Sequence, residues 1–262
     1  MLIDINANIG HWPFQQMKYN TCKTLMERMN SFGVDVSVIS NINGIFYKDT
    51  QASNEELYEE WMSDSQFKNR FIPFGIINPI YAGWEYDFEI CADKMGMKGI
   101  RLYPKYHDYS LTDPSCIQLV KNARDKGLIV AFTLRMMDSR GPRHWLDITT
   151  EWRLADVMPI IKRVPDAQYF ILNIANSINL NDEDMMLFKK ANILIDTSGR
   201  GTSNLSGLLK IYGKDKIAFG THSPILDYVT GMLRIEALRE DEADDSIKNL
   251  IRSGNAKKFL KI

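Results

Sequence analysis

Leu2-Ile3-Asp4-Ile5-Asn6-Ala7-Asn8-Ile9-Gly10 opens the chain with a short apolar segment that carries polar residues at every second position and ends in glycine. Side chains two apart on a strand point to the same side. The spacing therefore predicts Asp4, Asn6 and Asn8 on one face, with Ile3 and Ile5 on the other. Polar groups on the inner side of a strand, near its C-terminal end, suit the rim of a barrel active site. A strand that simply ends in a polar turn would read the same way.

Beyond Gly10 the chain alternates between two kinds of segment. Strand-like segments are predicted at 2–6, 34–40, 71–77, 99–103, 128–134, 168–173, 192–196 and 216–220. Several are near-continuous apolar runs, such as Leu128-Ile129-Val130-Ala131-Phe132, the pattern of strands buried on both faces of a parallel sheet. Amphipathic helices are predicted between and after them, at about 21–32, 54–68, 84–95, 114–126, 152–163, 182–190, 203–213 and 225–240. Asn54 is the expected cap of the second helix. Asp113-Pro114 gives a cap followed by proline at the first helical position, and Gly127 and Gly213 stand where helices end. Eight strand–helix units in 262 residues predict a single-domain α/β (β/α)8 TIM barrel over residues 1–262. No Gly-X-Gly-X-X-Gly follows the first strand, which argues against a dinucleotide-binding sheet.

Composition narrows the class. The chain is 45% hydrophobic and 25% charged with net charge −1, so charge gives no reason to expect nucleic acid or an anionic membrane. The three cysteines, Cys22, Cys91 and Cys116, are far apart and form no CxxC, so no disulfide framework or thiolate zinc site is suggested. The segment at Met1 has no basic n-region or apolar h-region, and no run approaches the ~20 apolar residues of a membrane span. A cytoplasmic protein with a small-molecule substrate or ligand is expected, and a homo-oligomer is compatible with this composition.

Ordered fragments along the chain resemble the amidohydrolase superfamily, in its amidohydrolase-related (amidohydrolase 2) branch. The opening resembles that family's first strand, Ile-Asp-X-His-X-His-X-Gly. Lys98-Gly99-Ile100-Arg101-Leu102-Tyr103-Pro104 is similar to its fourth strand, and Asn192-Ile193-Leu194-Ile195-Asp196-Thr197-Ser198-Gly199 to its seventh. Gly220-Thr221-His222-Ser223-Pro224 resembles the end of strand eight. Ile251-Arg252-Ser253-Gly254-Asn255-Ala256 resembles the closing helix.

The resemblance implies a metal-dependent site whose ligands are replaced here. The strand-one histidines are Asn6 and Asn8, the strand-five histidine falls on or next to Thr133, and the strand-six histidine falls on Asn173. The strand-eight aspartate, which activates water in the family, is His222. Neutral amides, a hydroxyl and one imidazole are a poor donor set for a transition ion, so no metal and no other cofactor is expected. The asparagines can bond one another or bind a ligand directly.

His11, His107, His144 and His222 all follow strands, and His222 is the expected general acid–base. Arg101 is the expected catalytic partner, polarising a carbonyl or holding a carboxylate. Arg135 and Arg200, with Asn6, Asn8, Thr133 and Asn173, are expected to bind substrate. Seven aromatics, Trp12, Tyr81, Trp84, Tyr103, Tyr106, Tyr109 and Trp145, lie in or near strand-to-helix connections. Trp12 and Tyr103 in particular are expected to line a mouth that stacks a ring. Together these readings predict a metal-independent, lactonase-like hydrolase of a sugar or organic-acid lactone or ester. The alternative is a non-catalytic barrel that binds a small carbohydrate or carboxylate.

Overall fold

A computed structural model describes residues 1–136, 152–174, 178–199 and 204–262. Eight parallel strands lie in sequential order: β1 (Ile3–Ile9), β2 (Val36–Asn41), β3 (Phe71–Ile76), β4 (Gly99–Leu102), β5 (Ile129–Thr133), β6 (Gln168–Leu172), β7 (Asn192–Asp196) and β8 (Ile217–Ala218). The ring closes between β8 and β1. Ile5 N donates to Phe219 O at 3.0 Å, His222 N to Asn6 O at 2.6 Å and Asn8 N to Ser223 O at 2.8 Å. This is the (β/α)8 barrel expected from the alternation.

The surrounding helices are α1 (Cys22–Phe32), α2 (Thr50–Met62), α3 (Ser65–Arg70), α4 (Trp84–Glu89), α5 (Pro114–Asp125), α6 (Leu154–Arg163), α7 (Asp182–Lys190), α8 (Leu205–Tyr212), α9 (Tyr228–Glu236), α10 (Asp245–Asn249) and α11 (Asn255–Leu260). Asp113 caps α5 with Pro114 at its start, as the sequence indicates. The second helix begins earlier than expected. Asp49, not Asn54, caps α2 by accepting from Gln51 N at 3.0 Å. Asn54 lies inside the helix and ties it to β3. Its amide donates to Ile76 O at 2.9 Å and accepts from Ile76 N at 2.7 Å.

Two apolar layers share the strands. Ile100, Leu102, Val130, Phe132, Ile193 and Ile195 pack outward against the helices. Ile3, Ile5, Phe74, Ala131, Phe170 and Leu194 fill the barrel with residues of α11. Gly99 leaves the room that Phe74 needs, since a Cβ there would collide with the Phe74 ring and the Ile129 carbonyl.

β1 departs from the simple alternation. Its register with β2 shifts between Asp4 and Ala7. Ile3 and Ile5 belong to the inner layer, whereas Ala7 and Ile9 belong to the outer one. A bulge changes which parity faces inward. Asn6 and Asn8 therefore point into the barrel, and Asp4 does not share their face. Asp4 instead stitches β1 to β8, accepting from Thr221 Oγ1 at 2.5 Å, Thr221 N at 3.1 Å and Asn6 N at 2.9 Å.

Candidate functional site

The C-terminal ends of the strands gather Asn6, Asn8, Arg101, Thr133, Asn173, Asp196 and His222 at one end of the barrel. Arg101 lies at the centre and is 1% exposed. Its Nε donates to Thr133 Oγ1 at 2.8 Å. Nη1 donates to Asn8 Oδ1 at 2.9 Å and Ala7 O at 3.2 Å, and Nη2 to Asn6 Oδ1 at 2.5 Å. The planar fork can bind all of these at once.

Asn6 relays this charge to a carboxylate. Its amide nitrogen donates to Asp196 Oδ2 at 2.6 Å and lies 3.2 Å from Ser198 Oγ. Asp196 also accepts from Asn173 N at 2.8 Å. Burial raises the Asp196 pKa, while Ser198, Asn6, Asn173 and the Arg101 charge offset part of that rise. The asparagines thus bond to one another's partners and fill the interior.

His222 is fully buried, with φ +60°. Its Nε2 lies 2.9 Å from Met136 O, so Nε2 carries the proton, and Nδ1 faces Asn6 Oδ1 at a longer 3.3 Å. Burial, then the positive charges of Arg101 and Arg135, push its pKa down to about 3; the Met136 bond opposes them. The ring is neutral at physiological pH.

Arg135, half-buried after β5, donates from Nη2 to Gly199 O. Asn173 reaches the Arg135 carbonyl at 2.6 Å. Gly199 has φ +70°, and a Cβ there would overlap Asn173 Oδ1, so only glycine fits between the two strand ends.

The aromatic mouth is mostly packing. Trp12 and Tyr103 are buried in an apolar cluster with Ile42, Ile45, Ile76 and Met136. The Arg101 guanidinium lies 5.8 Å from the Tyr103 ring centroid. Trp84 is buried in the outer layer, whereas Tyr81 is exposed. Phe14, Phe46 and Tyr106 make edge contacts around Trp12. Of the described histidines, His11 and His107 bond partners other than those of His222. His107 bonds Gly44 O at 3.0 Å, and His11 is exposed beside Asn20. Arg200, His144 and Trp145 lie outside the described residues.

The donors here do not fit a divalent ion. Among the described residues no three His, Cys, Asp or Glu side chains come together in a way that could hold one. The Asn6 and Asn8 carbonyl oxygens already accept from Arg101, whose fixed positive charge would repel a second cation. Sequence reading missed the Asp4–Thr221 stitch, the Met136 carbonyl and the Asn6–Asp196 contact. Only Asp196 had a signal, the polar end of an apolar strand.

No family model matches the chain, and no curated protein does. Solved structures do. A 2,6-dihydroxybenzoate decarboxylase complexed with 2,6-dihydroxybenzoate is similar at TM-score 0.75 and 15% identity, over 100% of this chain and 99% of that one. A dihydroxybenzoic acid decarboxylase from Polaromonas with bound manganese and 2-nitroresorcinol is similar at TM-score 0.72 and 14% identity, over 99% and 96%. A protein described as amidohydrolase II is similar at TM-score 0.72 and 13% identity, over the full length of both chains.

These findings overturn the metal-independent lactonase expectation. Several of the similar structures are named as decarboxylases, and two of those hold bound manganese. His222, sealed from water and neutral, also lacks the surroundings of a water-activating base. At this level of identity the likeness is one of fold: the chain has the barrel fold of the amidohydrolase-superfamily structures.

Proposed function

We propose that the chain recognises a small aryl carboxylate at the C-terminal end of its barrel. One observation carries this reading: two guanidinium side chains, Arg101 at the end of β4 and Arg135 after β5, stand at this end of the barrel, Arg101 bonded to Asn6 and Arg135 to the Gly199 carbonyl. Arg101 is committed to internal partners, and Arg135 is the one of the two that reaches solvent. A guanidinium fork suits a carboxylate. Phe14, Phe46 and Tyr106 offer an aromatic wall for the ring. The decarboxylases of similar fold are named for 2,6-dihydroxybenzoate and 5-carboxyvanillate, both aryl carboxylates, and the ligand class comes by that analogy.

Recognition is favoured over turnover. Releasing carbon dioxide from a ring needs a proton delivered to the ring carbon. The neutral His222 ring donates its one N–H to the Met136 carbonyl and is a poor source. The test is calorimetric titration with 2,6-dihydroxybenzoate and benzoate, with phenol as the uncharged control and carbon dioxide release followed in parallel. Saturable binding of the carboxylates is expected, weakened about tenfold or more in Arg135→Gln, as for a lost charge-assisted hydrogen bond. Equal binding of phenol, or none of either carboxylate, overturns the ligand class. Carbon dioxide release overturns the recognition-only reading.

A further inference from the structure

A groove of about 500 Å³ opens between the start of α2 and the loop after β3. Its size falls in the ~300–1,000 Å³ range of ligand pockets. Lys48, Asp49 and Thr50 line one side, Asn78 and Tyr81 the other, and Asp87 of α4 completes it.

Two buried polar side chains face this space with unused hydrogen-bonding groups. Asn78 is 2% exposed, and its Oδ1 accepts from Ile80 N at 3.3 Å. Its Nδ2 donates to no acceptor among the described residues. The Thr50 hydroxyl, on a residue 4% exposed, is likewise without a protein partner among them. Both groups open onto the groove rather than being sealed in the protein, so a bound molecule can reach them.

The charges are also unused. Neither Lys48 nor Asp87 makes an ion pair among the described residues. Asp87 is half-buried, and its pKa is raised by burial and then by the like charges of Asp49 and Glu55. Carboxylates held together in this way favour a cation between them. A metal ion is a poor occupant, because no three acidic, His or Cys side chains among the described residues come together to hold one. An ammonium group needs no such coordination sphere.

We propose that this groove binds a small amino-carboxylate zwitterion of the free α-amino acid class. Its ammonium lies against Asp87 and Asp49. Its carboxylate takes the Asn78 amide, the Thr50 hydroxyl and Lys48, and its side chain lies on the exposed Tyr81 ring. The site goes beyond the aryl carboxylate reading and uses none of its residues.

The test is calorimetric titration of the full chain with a panel of free α-amino acids, with ethylamine and acetate as half-ligand controls. At least one amino acid binds saturably. Asp87→Asn weakens it about tenfold or more, the scale of a lost charge-assisted contact. Thr50→Val, which keeps the side-chain shape, weakens it severalfold, and Arg135→Gln leaves it unchanged. Circular dichroism and the unfolding midpoint verify that each variant is folded. No saturable binding at millimolar concentration overturns the proposal, as does wild-type affinity in both Asp87→Asn and Thr50→Val. Ethylamine or acetate binding as tightly as the amino acid overturns the zwitterion.

Discussion

Asp4 and His222 are both fully buried, and burial moves them in opposite directions. Asp4 is pushed up to about 7 from 3.8, and His222 down to about 3 from 6.5. Between about pH 4 and 7 the native state holds a proton on Asp4 that the unfolded chain releases, so this term weakens stability as pH rises. Between about pH 3 and 6.5 the unfolded chain binds a proton on His222 that the native state refuses, so this term strengthens stability as pH rises. Over their shared window the two nearly cancel. Each substitution should therefore unmask the other. Relative to wild type, between about pH 4 and 6.5 Asp4→Asn gains stability as pH rises and His222→Gln loses it, each with a slope of about 1.4 kcal/mol per pH unit. Urea midpoints measured across this range check both signs, and parallel wild-type and variant curves would refute them. Arg101 is a different case, since its charge is permanent. Arg101→Gln leaves Thr133, Asn8 and Ala7 without its donors and Asp196 without a neighbouring cation. Breaking a buried charge network of this kind costs about 3–5 kcal/mol, readable in the same urea assay.

At the level of elements, the strands were the most legible feature. A strand buried on both faces must be apolar at nearly every position, so runs such as Leu128–Phe132 stand out without any partner in view. The β1 bulge was not legible. Its residues follow strict polar–apolar alternation, and only pairing with β2 and β8 decides that the inward parity changes. The start of α2 failed for a related reason. Asp49 and Asn54 are both good caps locally, and tertiary contacts decide between them, because Asn54 is taken up by β3. That contact carries a prediction. Asn54→Ala leaves the Ile76 N–H and C=O buried without their partner, at about 1–3 kcal/mol each. A loss of about 2–5 kcal/mol in unfolding free energy is expected, against about 1 kcal/mol for the cap variant Asp113→Ala. If the two cost the same, Asn54 is only a helix residue.

For the whole molecule, which residues meet was legible and what they do together was not. The alternation and the resemblance together brought Asn6, Arg101, Thr133, Asn173, Asp196 and His222 to one end of a barrel, and they lie there. Sequence could not reveal that Arg101 reaches across the interior to bind Asn6 and Asn8, since that depends on strands about a hundred positions apart along the chain. Nor could it show that Tyr103 and Trp12 are packed rather than open. The donor set leads to the last prediction. A ligand that binds only the native state stabilises it by RT ln(1 + [L]/Kd), so a site of micromolar Kd at millimolar metal adds about 4 kcal/mol. Such a gain raises the unfolding midpoint by several degrees even in a barrel of this length. Because Arg101 engages the amide oxygens a metal would need, manganese or zinc at millimolar concentration should leave the thermal midpoint within about one degree, and prior chelation should change nothing. Arg101→Met makes the result interpretable. It removes the cation but not the oxygens of Asn6, Asn8 and Asp196, and should be the more responsive protein to added manganese. A metal-dependent rise of several degrees in wild type, absent in Asn6→Ala, would show that the amide oxygens exchange the guanidinium for an ion.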